Sequence, residues 1–179
     1  MITPSSIIQH IGTINYAYFE TYSLFRNTAY TNSKKLVEQE IEVLLKKGRL
    51  IPLEREEKER YDYLQSLLPI EYQLLALDEY TPFQDKVARV EVGTSLAMEL
   101  DCILSTIMPP PVAYAACIPI YRDVMVFYDA ANCMVGKLYV CFECAFMATS
   151  KTHSFHVGHE LFGMLGRYLQ KLGHPLQMT

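Results

Sequence analysis

The chain has 179 residues, half of them hydrophobic, and a formal net charge of −4. A chain of this length can bury one core without disulfides or metal, so we expect one domain over residues 1–179. The acidic balance and the scattered basic residues argue against nucleic acid as a partner. No stretch approaches the roughly 18 consecutive apolar residues of a membrane span, and residues 1–20 lack a signal-peptide pattern. These features predict a cytoplasmic protein.

The first half of the chain is expected to be mostly helical. Apolar residues within 1–32 recur at roughly helical spacing, in a segment that we expect to pack loosely. Ser33 is predicted to cap a helix over 34–47 that ends at Gly48. After Pro52 comes a charged segment with opposite charges at helical neighbour spacing, which predicts a second helix.

The middle of the chain changes from strand to helix. Residues 86–92, KVARVEV, alternate between two faces and predict a short, half-exposed strand. Thr94 is predicted to cap a helix over 95–107 that is ended by the prolines at 109–111. Its expected core residues are Leu96, Ala97, Leu100, Ile103, Leu104 and Ile107.

The C-terminal half is rich in aromatic and β-branched residues. Segments 112–118, 123–129 and 137–148 predict an antiparallel meander, and 158–173 predicts a closing helix. Arg122-Asp123, close to Pro119, is interpreted as a solvated edge that limits aggregation. The expected fold class is α+β, with N-terminal helices packed on a C-terminal antiparallel β-meander closed by a final helix.

The cysteines supply a candidate metal site. All five are expected to be reduced thiols in a cytosolic chain: Cys102, Cys117, Cys133, Cys141 and Cys144. Cys141 and Cys144 form a C-x₂-C pair, whose spacing lets two thiolates bind one zinc if the backbone turns between them.

The strand pairing decides which cysteine would join them. In a hairpin closed near Asn132, paired positions add to roughly 264, which brings Cys117 close to the C-x₂-C pair. An even register places Cys117 with Cys141, and an odd register places it with Cys144. The fourth ligand is expected from His159, with His153 or His156 as substitutes, since imidazole suits zinc.

Other interpretations of these residues stay open. On a regular strand Cys141 and Cys144 point to opposite faces, as ordinary core cysteines would. A thioredoxin-like redox site needs the pair at a helix N-terminus, whereas the flanking residues predict strand. Cys144 could act as a nucleophile with His153 or His156 and Asp129.

A hydrolytic zinc site would have two further requirements. It needs an open fourth position on the metal and a nearby base. Glu143 and Glu160 are the candidates for that base.

The segments ACIPIYRDVMVFYD (116–129) and GKLYVCFECAFMATS (136–150) resemble a group of uncharacterised bacterial proteins. The group carries a Cys-x-Pro segment, a strand ending in FYD and a CFEC strand before a Ser. A cysteine commonly opens its last helix, at the position of His159 here, and Pro119-Ile120 replaces its usual Pro-Arg. These departures argue against identical chemistry but are compatible with a Cys/His ligand set, and the analogy with small acidic immunity proteins implies a protein partner.

Two functions follow as expectations. The first is a non-enzymatic, cytoplasmic protein-binding protein of immunity or accessory type, because acidic charge and thirteen tyrosines suit a protein partner. It would bind another protein, but neither nucleic acid nor a membrane, and would need no cofactor. The alternative is a small zinc-binding protein, structural or hydrolytic, that uses the Cys/His site.

Overall fold

The computed structural model describes residues 6–12, 15–67, 84–107, 118–150 and 153–176. Its helices in these ranges are α1 (Ile7–Ile11), α2 (Thr28–Leu50), α3 (Arg55–Leu67), α4 (Ser95–Ser105) and α5 (His159–Lys171). Its strands there are β1 (Tyr18–Leu24), β2 (Gln84–Glu91), β3 (Asp123–Tyr128), β4 (Met134–Cys141), β5 (Phe146–Ser150) and β6 (His153–His156). The strands form one antiparallel sheet in the order β2-β1-β3-β4-β5-β6. The expected α+β class is confirmed.

The meander expected in the C-terminal half is present as β3 to β6, but the N-terminal segment behaves differently. Residues 18–24 form β1, an inner strand hydrogen-bonded to β2 and β3. Helix within residues 1–32 is therefore limited to α1 and to the start of α2 from Thr28. Aromatic and β-branched residues favour a strand when a sheet surrounds them, and pairing on both sides outweighs the weak helical spacing.

Helix α2 begins earlier and ends later than expected. The side chain of Asn27, not Ser33, caps it by accepting a hydrogen bond from the Tyr30 N–H at 2.9 Å. The helix continues through Gly48, where an added Cβ would lie 3.4 Å from Leu53 Cγ. The prediction of Gly48 as a terminator is wrong, because Gly48 does not take the left-handed conformation and α2 ends at Leu50.

The two faces of the sheet carry separate apolar clusters. Helices α1, α4 and α5 pack on one face, around Phe19, Met125, Leu138 and Leu100. We call the other side the cysteine face; it carries Val124, Val126, Tyr139, Cys141, Cys144 and Ala148. A third, small cluster joins α2 to α3 through Ile41, Leu44 and Leu64.

The helices that cover the first face follow the sequence pattern closely. Thr94 caps α4 by accepting from the Ala97 N–H at 3.2 Å, as expected. Ile107, expected in the core, lies beyond α4 and is 62% exposed. Helix α5 ends before Gly173, whose φ of 103° is a left-handed conformation that glycine adopts readily. None of the helices in the described ranges is long and apolar enough to span a membrane.

Candidate functional site

The C-x₂-C segment lies on a hairpin turn between β4 and β5. Strand β4 ends at Cys141 and β5 begins at Phe146, so the continuous strand expected over 137–148 is wrong. Ala145 has a φ of 53°, a left-handed conformation that helps reverse the chain. Because the backbone turns, Cys141 and Cys144 lie in the same buried cluster rather than on opposite faces. This meets the condition under which the pair could share one metal ion.

The register of the β3–β4 hairpin is odd. Val124 pairs with Tyr139, and Met125 pairs with Leu138. An odd register is the case for which the sequence predicts that Cys117 and Cys144 share a face. Cys117 lies outside the described residues, so this pairing stays a prediction. The strand expected over 112–118 also lies outside them, except for Ile118.

The sulfur of Cys141 is surrounded by backbone amides. Burial raises the pKa of this thiol above its usual value, although the N–H groups of Cys144, Ile120 and Glu143 point at the sulfur and oppose that rise. The residue is 1% exposed. Burial is the larger effect, so the neutral thiol is the favoured form of Cys141.

Cys144 differs from the reduced thiol expected for it. It is disulfide-bonded, and its partner lies outside the described residues. Its sulfur is 3.6 Å from the carbonyl oxygen of Ile118, whereas Cys102, Cys133 and Cys141 are free. The expectation of five free thiols is therefore wrong for Cys144, and a disulfide sulfur must be reduced before it can ligate zinc.

The three candidate histidines occupy different places. His156 pairs with Phe146 across β5 and β6, and their ring centroids are 3.4 Å apart on the cysteine face. Its imidazole also hydrogen-bonds to the backbone of Ala145, in the turn that links β4 to β5 at residues 142–145 and that we call the cysteine turn. Burial lowers the pKa of His156. His153 lies on the opposite face near His10, at 5.6 Å between ring centroids. His159 is the first residue of α5.

The described residues do not complete any of the predicted sites. Within them, no three His, Cys, Asp or Glu side chains are grouped to hold a metal ion. Asp129, proposed to orient a catalytic histidine, instead accepts hydrogen bonds from the N–H groups of Ala131 and Cys133 in the β3–β4 loop. The candidate base Glu143 pairs with Arg122 at 3.3 Å, and Glu160 lies exposed in the first turn of α5. Of the predicted site residues, the structure brings together Cys141, Cys144 and His156 around the turn between β4 and β5.

A buried polar network lies at the end of β3, where the sequence predicted a solvated edge. Asp123 is 1% exposed in a strand paired on both sides, so the edge prediction is wrong. Its carboxylate accepts hydrogen bonds from both terminal nitrogens of Arg26 at 2.8 and 2.9 Å, and Oδ1 is 2.7 Å from His174 Nδ1. The sequence signal was an aspartate directly before a run of buried apolar residues. The network ties the chain after α5 to the sheet.

The α2–α3 hairpin carries exposed apolar side chains outside its own core. Leu36, Val43 and Leu50 are 66%, 66% and 86% exposed. Their seven-residue spacing places them on one side of α2, away from Ile41 and Leu44, which pack with α3. We call these three residues the α2 stripe.

The tyrosines expected to form a binding face are mostly internal. Tyr18 and Tyr30 are buried, and the Tyr16 hydroxyl donates to Asp101 at 2.8 Å. Tyr63 is exposed, whereas Tyr72 and Tyr80 lie outside the described residues. A protein-binding surface is therefore better sought on the α2 stripe than among these tyrosines.

Comparisons with protein-family models, with curated proteins and with solved structures find no match for this chain.

Proposed function

We propose that this chain is a non-enzymatic, cytoplasmic protein-binding protein of the immunity or accessory type, and that it binds its partner through the α2 stripe. The observation that supports the proposal is the row of exposed Leu36, Val43 and Leu50 on a helix whose other apolar face is already buried. Covering these side chains would contribute about 25 cal/mol per Å² of apolar area removed from water. A single seam with this period suits a partner helix.

The charges beside the stripe indicate the chemistry of that partner. Lys35 and Arg49 are exposed on one flank and make no ion pair within the described residues. Between them, Lys46 pairs with Glu42 at 2.6 Å. The partner is therefore an amphipathic helix with apolar residues at seven-residue spacing and acidic residues beside them, since opposite charges across an interface favour association.

Photo-crosslinking from position 43 followed by a binding measurement tests this proposal. A photoreactive amino acid at Val43 should crosslink a protein in the source cells, which is then purified. The double variant Leu36→Ala, Val43→Ala should bind that protein at least about tenfold more weakly, as expected for two interface side chains that each contribute over 1 kcal/mol. Met98→Ala is the matched control, because Met98 is 60% exposed on α4. Unchanged binding by the double variant, or no crosslinked protein, would contradict the proposal.

The cysteine turn favours zinc binding as a second candidate function. Cys141 and Cys144 lie on one turn, three amides point at the Cys141 sulfur, and His156 is bonded to the same turn. Amide donors around a thiolate are the kind of outer contact that orients metal ligands. In the reduced protein, Cys117 and either His159 or His156 would complete the tetrahedral set.

Elemental analysis of the reduced, untagged protein tests this candidate. The expected result is about one zinc per chain, which the Cys141→Ser, Cys144→Ser double variant loses. The control is Cys102→Ser with Cys133→Ser, because both of these thiols are exposed and free. Absence of zinc from the reduced wild-type protein would rule out the zinc site and leave the stripe proposal unaffected.

A further inference from the structure

An open cleft of about 500 Å³ lies between α4 and α5 and is lined by residues of both helices. The apolar side chains that line it include Ile103, Met164 and the ring of Tyr168. The Tyr168 hydroxyl is already bonded to the Leu96 carbonyl oxygen at 2.9 Å, so it holds the two helices together. The volume is in the range of small-molecule sites, which run from roughly 300 to 1,000 Å³.

Among the described residues that line this cleft, two carry a positive charge and one an acidic side chain. Lys171 Nζ lies 2.6 Å from Glu99 Oε2, so these two charges balance each other. Arg167 also lines the cleft, and within the described part of the chain its guanidinium makes no hydrogen bond or ion pair. Arg167 is exposed, so its guanidinium is accessible to a ligand.

We propose that the α4–α5 cleft binds a small organic anion with an apolar body, such as an aromatic carboxylate. The anionic group pairs with Arg167, whose planar guanidinium can donate two parallel hydrogen bonds to a carboxylate. The apolar body packs on Ile103 and Met164. This site is separate from the α2 stripe and from the cysteine turn, so it stands independently of both proposed functions.

The rate at which the Cys102 thiol is alkylated can report whether the cleft is occupied. Its thiol is free and exposed, and it lines the same cleft on the α4 side. A bound molecule would cover this sulfur and slow its alkylation. Cys133 is also free and exposed, but it lies in the loop before β4 and is not part of the lining, so it serves as the internal control.

The test uses 1-naphthoate and its neutral counterpart 1-naphthamide, titrated into the full chain by calorimetry. Naphthoate should bind more tightly than naphthamide, and Arg167→Gln should weaken naphthoate about tenfold while leaving naphthamide unchanged. Arg55→Gln is the matched control, because Arg55 is on α3 and its side chain is 91% exposed. Naphthoate should also slow alkylation of Cys102 but not of Cys133, as read by peptide mass spectrometry.

Four outcomes would overturn the proposal. They are the absence of naphthoate binding, equal affinity for the acid and the amide, unchanged affinity in Arg167→Gln, and naphthoate binding that leaves the alkylation rate of Cys102 unchanged. Circular dichroism of Arg167→Gln checks that a loss of binding is not a loss of fold.

Discussion

Replacing Asp123 by asparagine should destabilise this protein strongly, even though the two side chains have nearly the same shape. Asp123 and the His174 side chain are almost fully buried, and the Arg26 side chain is only 23% exposed. Removing one member of a buried ion pair costs about 3–5 kcal/mol, because the remaining charge loses its compensation. Arg26 keeps hydrogen bonds to the Arg122 carbonyl oxygen at 2.8 Å and to Ser23 Oγ at 3.0 Å. We therefore expect a loss near the lower limit, about 3 kcal/mol.

Urea unfolding at pH 7 measures this loss, and a double-mutant cycle assigns it to the pair. Arg26→Gln combined with Asp123→Asn should show a coupling energy of about 2 kcal/mol or more. The corresponding cycle on Arg55 and Glu59, an exposed pair 2.8 Å apart, should give about 0.5 kcal/mol or less. A loss below about 1 kcal/mol in Asp123→Asn would refute the reasoning, since the carboxylate would then not compensate a buried charge.

The same network predicts a pH dependence. Burial alone would raise the pKa of Asp123, but hydrogen bonds from His174 and Arg26 and the Arg26 charge hold the pKa below its ordinary value. A carboxylate with a lowered folded pKa contributes stability above its unfolded pKa and loses it as the pH falls through the folded pKa. The stability difference between wild type and Asp123→Asn should thus shrink as the pH falls from about 5 to below about 4. A difference that shrinks only above pH 5 would contradict this assignment.

Three further stability predictions can be measured by urea unfolding. Asn27→Ala should cost about 1 kcal/mol because it removes the cap of α2, whereas Ser33→Ala, inside the helix, should be neutral or stabilising by less than about 0.5 kcal/mol because alanine has the higher helix propensity; an equal loss in both variants would contradict the assignment of Asn27 as the cap. Ala145→Gly should stabilise the protein by about 1 kcal/mol, since glycine adopts the left-handed conformation without strain; a loss of stability would contradict this. Leu100→Ala should cost about 2–5 kcal/mol and Met98→Ala much less; similar losses would contradict the burial of α4.

The elements that the sequence predicts best are those in which local chemistry and packing agree. Helix α4 combines a threonine cap with an apolar face, and both Thr94 and Leu100 take the expected roles. Helix α5 has the expected apolar face and a glycine beyond its end. In such segments every local preference favours the same structure, so no distant contact is needed to identify them.

Strand β1 could not be predicted because its structure depends on distant partners. Residues 18–24 pair with β2 and β3, which begin sixty or more residues further along the chain. Their aromatic residues fit either a helix face or a pleated sheet, and the spacing alone favoured the helix. The burial of Asp123 could not be predicted for the same reason, because its partners Arg26 and His174 are distant in the chain.

The cysteine turn is a local feature that residue propensities do not predict. The residues CFEC carry no glycine, proline or asparagine, so strand propensity favours a continuous strand through them. The chain nevertheless turns, with Ala145 taking the left-handed position that a glycine would ordinarily occupy. A strained residue at that point holds Cys141 and Cys144 in one cluster, where a regular strand would have separated them.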